Sequence, residues 1–145
     1  MQLEFFEKPG CIGNKRQKEL LKRTRCNLVI QNILTYPFTP IELLPFFIDL
    51  PQKQWFNSSA PQVKSGEIIP ENLTVTEALE WMIKEPILIK RPLLRQGEKH
   101  FAGFDSIKVE RLFGIPLSRL AEEPDSEKFA EKYSLCTESK SCPAP

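Results

Sequence analysis

A short apolar stretch, Leu3 to Phe6, stops at Pro9-Gly10 and gives at once onto a segment rich in Lys, Arg, Gln, Glu and Leu, Gly13 to Arg25. Pro and Gly punctuate backbone structure, and the residues after them favour helix, so the pattern reads as strand, tight turn, helix. Leu20 and Leu21 face inward on that helix, with the basic residues mostly outward. A second apolar run, Asn27 to Ile33, has the compact content of a buried strand. Two strands joined through a helix pair most simply in parallel, because parallel neighbours need a long crossover. This opening commits the chain to an α/β sheet and puts Cys11 at the junction of its first strand and first helix.

The middle of the chain reads as helical. Thr39-Pro40-Ile41-Glu42 has the form of a capping box with proline at the first helical position, opening a helix to about Asp49 in which Pro45 can introduce a kink. Pro51 ends or restarts it. Asn57 to Asn72, with Pro61, Gly66 and Pro70, reads as loop. Thr74-Val75-Thr76-Glu77 repeats the capping pattern before a stripe of Ala78, Leu79, Met82 and Ile83, and Pro86 follows its end. Ile87 to Leu94 and Lys99 to Ala102, separated by Gln96-Gly97, suggest a strand hairpin. Asp105 can cap a last helix, Ser106 to Phe113, stopped by Gly114. Beyond Pro116 the apolar content falls, and Tyr133 to Pro145 reads as a disordered tail carrying Cys136 and Cys142.

At 145 residues with 41% hydrophobic content, the chain suits one domain with an ordinary core. A formal charge of +1 gives no global bias toward nucleic acid or a membrane surface. Glu19 interrupts the basic run Lys15 to Arg25, which reads as a solvated helix face. No apolar run approaches the roughly 20 residues that span a bilayer, and Met1 to Glu4 has no secretory character. The expectation is a cytoplasmic protein with reduced cysteines and at most transient disulfides. His100 is the only histidine, and Cys136 and Cys142 have no second pair to complete a zinc set, so no metal is expected. Trp55 and Trp81 read as core or groove residues.

Cys11 is the candidate for chemistry. At a helix N-terminus, with Lys15 and Arg16 one turn away, a thiol is pushed toward the reactive thiolate. The other reading is a small apolar residue packing the strand-to-helix corner. Cys11-Ile12-Gly13-Asn14 has asparagine where a dithiol motif carries its second cysteine, so any resolving thiol lies elsewhere. Cys26 follows a helix of about 1.5 Å rise per residue, on the order of 20 Å away and beyond disulfide reach, which makes it a core residue. Cys136 or Cys142 reaches Cys11 only if the tail folds back. Glutathione or another small thiol is the simpler partner.

The element order is that of a thioredoxin-like α/β fold with a helical insertion in the middle and a flexible C-terminal tail. We divide the chain into a domain over residues 1–115, with the insertion at about 39–85, and an extension over 116–145. Three blocks carry a closer resemblance: Pro9-Gly10-Cys11, Glu85-Pro86-Ile87-Leu88-Ile89-Lys90-Arg91-Pro92-Leu93-Leu94, and Gly103-Phe104-Asp105. Together they resemble the ArsC family, the glutaredoxin-type arsenate reductases with their Spx-like relatives, and most of all its nitrogenase-associated branch.

The resemblance implies that Pro92 is the cis-proline facing the active thiol, and that Arg91 orients an anionic substrate for attack by Cys11. Asn14, Lys15, Arg16 and Pro92 are then the substrate-binding candidates, with either Lys15 or Arg16 standing where the reductases place an arginine after the cysteine. Two further arginines of the reductases have no counterpart: Trp55-Phe56-Asn57-Ser58 stands at one place and Gly103 at the other. Two functions follow. One is a monothiol oxidoreductase linked to glutathione or glutaredoxin, with no bound cofactor. The other is a non-catalytic Spx-like binding module acting on a protein partner connected with nitrogenase. Neither needs nucleic acid or a membrane.

Overall fold

The computed structural model describes residues 2–118 of the chain, so the expectations for Cys136, Cys142 and the tail lie outside the described residues. Strand β1 (Gln2–Glu7) leads through the Pro9-Gly10 turn into helix α1 (Ile12–Arg23), and β2 (Asn27–Asn32) follows. The insertion holds helices α2 (Pro40–Phe47), α3 (Pro61–Lys64) and α4 (Val75–Lys84), with 3₁₀ turns at Gln52–Trp55, Pro70–Asn72 and Pro86–Leu88. Strands β3 (Leu93–Gln96) and β4 (Lys99–Ala102) form the hairpin, and helix α5 (Ser106–Phe113) closes the described fold.

The sheet order is β2-β1-β3-β4, with β1 parallel to β2 and antiparallel to β3. Strand β1 is therefore central, and its side chains alternate between two cores. Leu3 and Phe5 pack with Leu20 and Leu21 of α1 and with Val109 and Phe113 of α5. Phe6 points the other way, into a cluster with Phe46 and Phe47 of α2 and Ala78, Leu79 and Met82 of α4. The insertion thus covers one face of the sheet, while α1 and α5 cover the opposite face.

Local chemistry explains the ends of these elements. Thr39 accepts the Glu42 N–H at 3.2 Å, and the Thr74–Glu77 box closes in both directions, at 3.1 and 3.0 Å. Asp105 accepts the N–H groups of Ile107 and Lys108, and Gly114 ends α5 at φ 69°, a conformation that glycine adopts without strain. One charged knot joins the insertion to the sheet. The Arg95 guanidinium on β3 forks onto both oxygens of Glu4 at 2.8 and 3.0 Å and also donates to Tyr36 at 3.2 Å. Those bonds, the Glu4 pair above all, raise its pKa.

Four expectations are corrected. Strand β2 is not buried: it forms an edge of the sheet and all its residues are exposed or half-buried, its apolar content meeting the core from one side only. The stretch Asn57 to Asn72 is not featureless loop, because Pro61 and Pro70 each start a short helical turn. The strand expected from Ile87 begins only at Leu93, since Pro86 opens a 3₁₀ turn through Leu88. Ile83 is exposed rather than part of the buried stripe.

Phe47 is fully buried and stacks on Trp55 with ring centroids 5.5 Å apart, joining α2 to the segment after it. Phe47→Ala is expected to cost about 3–5 kcal/mol, read as a fall in the urea midpoint at unchanged slope.

Candidate functional site

The turn between β1 and α1 is built around one buried amide. Asn14, wholly shielded from solvent, accepts the Lys8 N–H through Oδ1 at 3.1 Å and donates through Nδ2 to Gln17 at 3.0 Å. The Cys11 N–H donates to the Lys8 carbonyl at 3.1 Å, and the Cys11 carbonyl accepts from Lys15 at 3.1 Å. Cys11 is thereby the N-cap residue of α1, in extended backbone and with no side-chain capping bond. Its sulfur sits at the positive end of the helix without being used to cap it.

The opposite wall comes from the segment before β3. The Arg91–Pro92 peptide is cis, and the Pro92 carbonyl accepts the Gly103 N–H at 2.8 Å. The β1–β3 register pairs Glu4 with Arg95, Phe5 with Leu94 and Phe6 with Leu93. The ladder stops at Phe6 and Leu93, so the Arg91–Pro92 segment leaves β3 at the end of β1 that leads to Lys8.

The electrostatics agree with that placement. Burial first, and then the Arg91 charge, hold the Lys8 pKa below the ordinary lysine value. Burial alone lowers that of Arg91. Arg91 is 4% exposed, and its Nε and Nη1 are buried with no hydrogen-bond partner. Two cations are thus shielded side by side, next to a cysteine at a helix N-terminus. A buried guanidinium with unsatisfied donors is costly unless something anionic completes it.

The candidate residues divide accordingly. Cys11 begins α1, and Arg91 and Pro92 adjoin each other on the segment entering β3. Asn14 holds the turn rather than facing a ligand, because both ends of its amide are used within the fold. The Lys15 side chain is exposed and Arg16 half-buried, so neither lies among the shielded charges. Lys8 was missed: it precedes Pro9-Gly10 in the sequence, and only the fold reveals that it feels the Arg91 charge. Cys11 is disulfide-bonded in this structure. A thiol at a helix N-terminus is the one most readily drawn into such chemistry. Cys26 is a free, half-buried thiol whose pKa burial pushes up. His100 stacks edge-on against Phe46 at 4.7 Å.

The two places without arginine carry backbone instead. Asn57 is buried, its N–H donating to Leu88 at 2.7 Å and its Nδ2 to the Ile87 carbonyl at 3.2 Å, and Phe56 bridges Ile89. Gly103 has φ 95°, where a residue with a Cβ would be strained.

The ArsC family model matches residues 14–112, a span that includes Arg91, Pro92 and Gly103 and begins just after Cys11. The chain belongs to the ArsC family. It is 42% identical over 120 residues to a Rhodospirillum rubrum protein described as an uncharacterized 15.7 kDa protein in the draG 3′ region, covering 83% of this chain and 81% of that protein. It is 25% identical over 115 residues to the regulatory protein MgsR of Bacillus subtilis, covering 77% and 90%. Among solved structures, an ArsC family related protein from Bacteroides fragilis superposes with TM-score 0.68 at 24% identity, covering 77% of this chain and 99% of that one. The arsenate reductase of Vibrio cholerae superposes with TM-score 0.63 at 16% identity, covering 79% and 98%. The fold of this ArsC-family chain is thus the thioredoxin-like one. Among the described residues, no helix is long and apolar enough to cross a membrane, and no group of three or more His, Cys, Asp or Glu could hold a metal ion.

Asn14→Ala leaves the buried Lys8 N–H without its acceptor. The expected cost is about 1–3 kcal/mol, measured by urea denaturation, with Asn14→Asp retaining more stability than Asn14→Ala.

Proposed function

We propose that this ArsC-family protein is a monothiol oxidoreductase in which Cys11 is the nucleophile and Arg91 orients an anionic substrate. The observation that supports the reading is the buried Arg91 guanidinium with two unsatisfied donors, next to the cis peptide to Pro92. The helix N-terminus and the neighbouring cations favour the Cys11 thiolate. The co-substrate is glutathione, with no bound cofactor. The Cys11 thiolate attacks one sulfur of glutathione disulfide, a Cys11–glutathione S–S bond forms, the original S–S bond breaks, and the second glutathione leaves as thiolate. Attack by another glutathione thiolate, or by that of a glutaredoxin, on the mixed disulfide returns Cys11. Arsenate reduction is the family activity to test first, with Trp55-Phe56-Asn57-Ser58 and Gly103 standing where two of the reductases' arginines are expected. We place the protein in the nitrogenase-associated branch and in the cytoplasm; support for the branch is the motif set and the Rhodospirillum rubrum relative from the draG 3′ region.

The experiment is the pH dependence of alkylation on the fully reduced chain, with Cys26 as internal reference. Cys11 is expected to titrate below about 8.5, and Cys26 above it because burial raises its pKa. After incubation with glutathione disulfide, mass spectrometry should place glutathione on Cys11 and not on Cys26. A Cys11 that reacts no faster than Cys26 at neutral pH would count against thiol catalysis.

A second reading has its own observation: the backbone roles of Asn57 and Gly103 remove the full arginine set, and a regulatory protein is among the relatives. On this reading the fold is a binding module for a protein partner connected with nitrogenase. It predicts a complex that forms equally with Cys11→Ser, checked by co-purification; loss of the complex with that variant would tie binding to the thiol.

A further inference from the structure

Helix α2 is apolar on both of its faces. Leu43, Phe46 and Phe47 turn inward to the core, and its one charged residue, Glu42, is engaged by Arg95 and Tyr36. The outer face carries Ile41, Leu44, Pro45 and Ile48, with Ile41 85% and Ile48 66% exposed. A single exposed isoleucine is ordinary, but these four positions follow the i, i+3, i+4, i+7 spacing of a continuous helical stripe. The stripe forms one wall of a groove of about 550 Å³, and Glu98, Lys99 and Leu112 contribute to the other. Apolar surface gathered in this way marks an interaction site rather than a solvated face.

The spacing of the stripe identifies what covers it. Its positions are symmetric about the point between Leu44 and Pro45, so the stripe has the same spacing in both directions along the helix. A second α2 laid antiparallel sets Ile41 against Ile48 of the other copy and Leu44 against its Pro45, and the twofold axis repeats each contact. Antiparallel packing also brings Asp49, just past the C-terminal end of α2, beside the positive N-terminal end of the other helix. The groove carries both signs of charge, Asp49 and Glu98 with Lys99, as a surface that must complement itself requires. We propose that this groove is the interface of a twofold homodimer, formed by antiparallel packing of two α2 helices. The β3–β4 turn that walls the groove and the Cys11 turn lie at opposite ends of the sheet, because Arg95 pairs with Glu4 and Leu93 with Phe6. Dimerisation and the thiol site are therefore compatible.

The test is sedimentation equilibrium of the full chain from about 1 to about 500 µM, with a phosphine reductant present so that no disulfide-linked pair contributes. A reversible monomer–dimer equilibrium is expected, with a midpoint of about 10–100 µM for so small an interface. Ile41→Glu with Ile48→Glu should weaken it about tenfold or more, since both twofold-related contacts lose apolar burial and gain like charges. Ile41→Glu with Ile48→Lys sets opposite charges face to face and should dimerise about tenfold more tightly than the Glu/Glu pair. Should these variants fail to fold, dilution of the native chain decides: the Ile41 and Ile48 methyl resonances should shift with the dimer fraction, while that of Ile107, 61% exposed on α5, stays in place. A chain that remains monomeric over the whole range, a dimer indifferent to the Glu/Glu pair, equal affinity of the two double variants, or a dilution shift absent from Ile41 and Ile48 would each overturn the proposal. A monomer whose urea midpoint falls with the Glu/Glu pair would overturn it in favour of coverage by the chain's own residues 119–145.

Discussion

The hydrogen bond from the Lys8 N–H to Asn14 is the constraint on which the site depends. It closes the β1–α1 turn across a buried interval where water cannot substitute for a missing acceptor. With that bond in place, the Lys8 carbonyl is oriented to receive the Cys11 N–H, and Cys11 becomes the residue that begins the helix. The same turn buries the Lys8 side chain. One short amide therefore sets the direction of the helix, the position of the sulfur and the placement of a charge. Gln17 holds the other end of that amide, which ties the turn to the first full turn of α1.

The sheet does the rest. Because β1 is central, its end is bordered on one side by the segment that enters β3, and the antiparallel register runs as far as Phe6 and Leu93. The cis Arg91–Pro92 peptide and the Gly103 N–H bond to Pro92 fix the path of that segment. The position of Arg91 is thus a consequence of backbone pairing, with a core on either side of β1. Among the described residues, Arg95 pairs with Glu4 and Lys18 with Glu7. The contrast with Arg91 marks the site as different in kind.

Much of this was legible in the residues. The Thr39 N-cap, the capping box at Thr74, the Asp105 cap and the Gly114 stop are local signals, and each appears where the chain indicates it. Elements whose fate depends on distant neighbours were less legible. Strand β2 has the composition of a buried strand, yet its burial depends on its place in the sheet order, which no local pattern carries. The role of Asn14 was misread for a similar reason: beside a cysteine it resembles a ligand-binding group, and only the path of the turn shows its amide consumed internally. Lys8 was invisible because its significance comes from a partner far along the chain.

The missing arginines follow from the same logic of backbone demand. Within Trp55-Phe56-Asn57-Ser58, the Asn57 side chain satisfies the Ile87 carbonyl. Gly103 sits at a positive φ beside Pro92, and a side chain there would add strain at the residue whose N–H holds the cis-proline loop. At both positions the local geometry of the loop takes precedence over cationic character. The positive charge that remains is concentrated on the β1–α1 turn and the Arg91 loop, the two segments already locked by Asn14 and by the sheet.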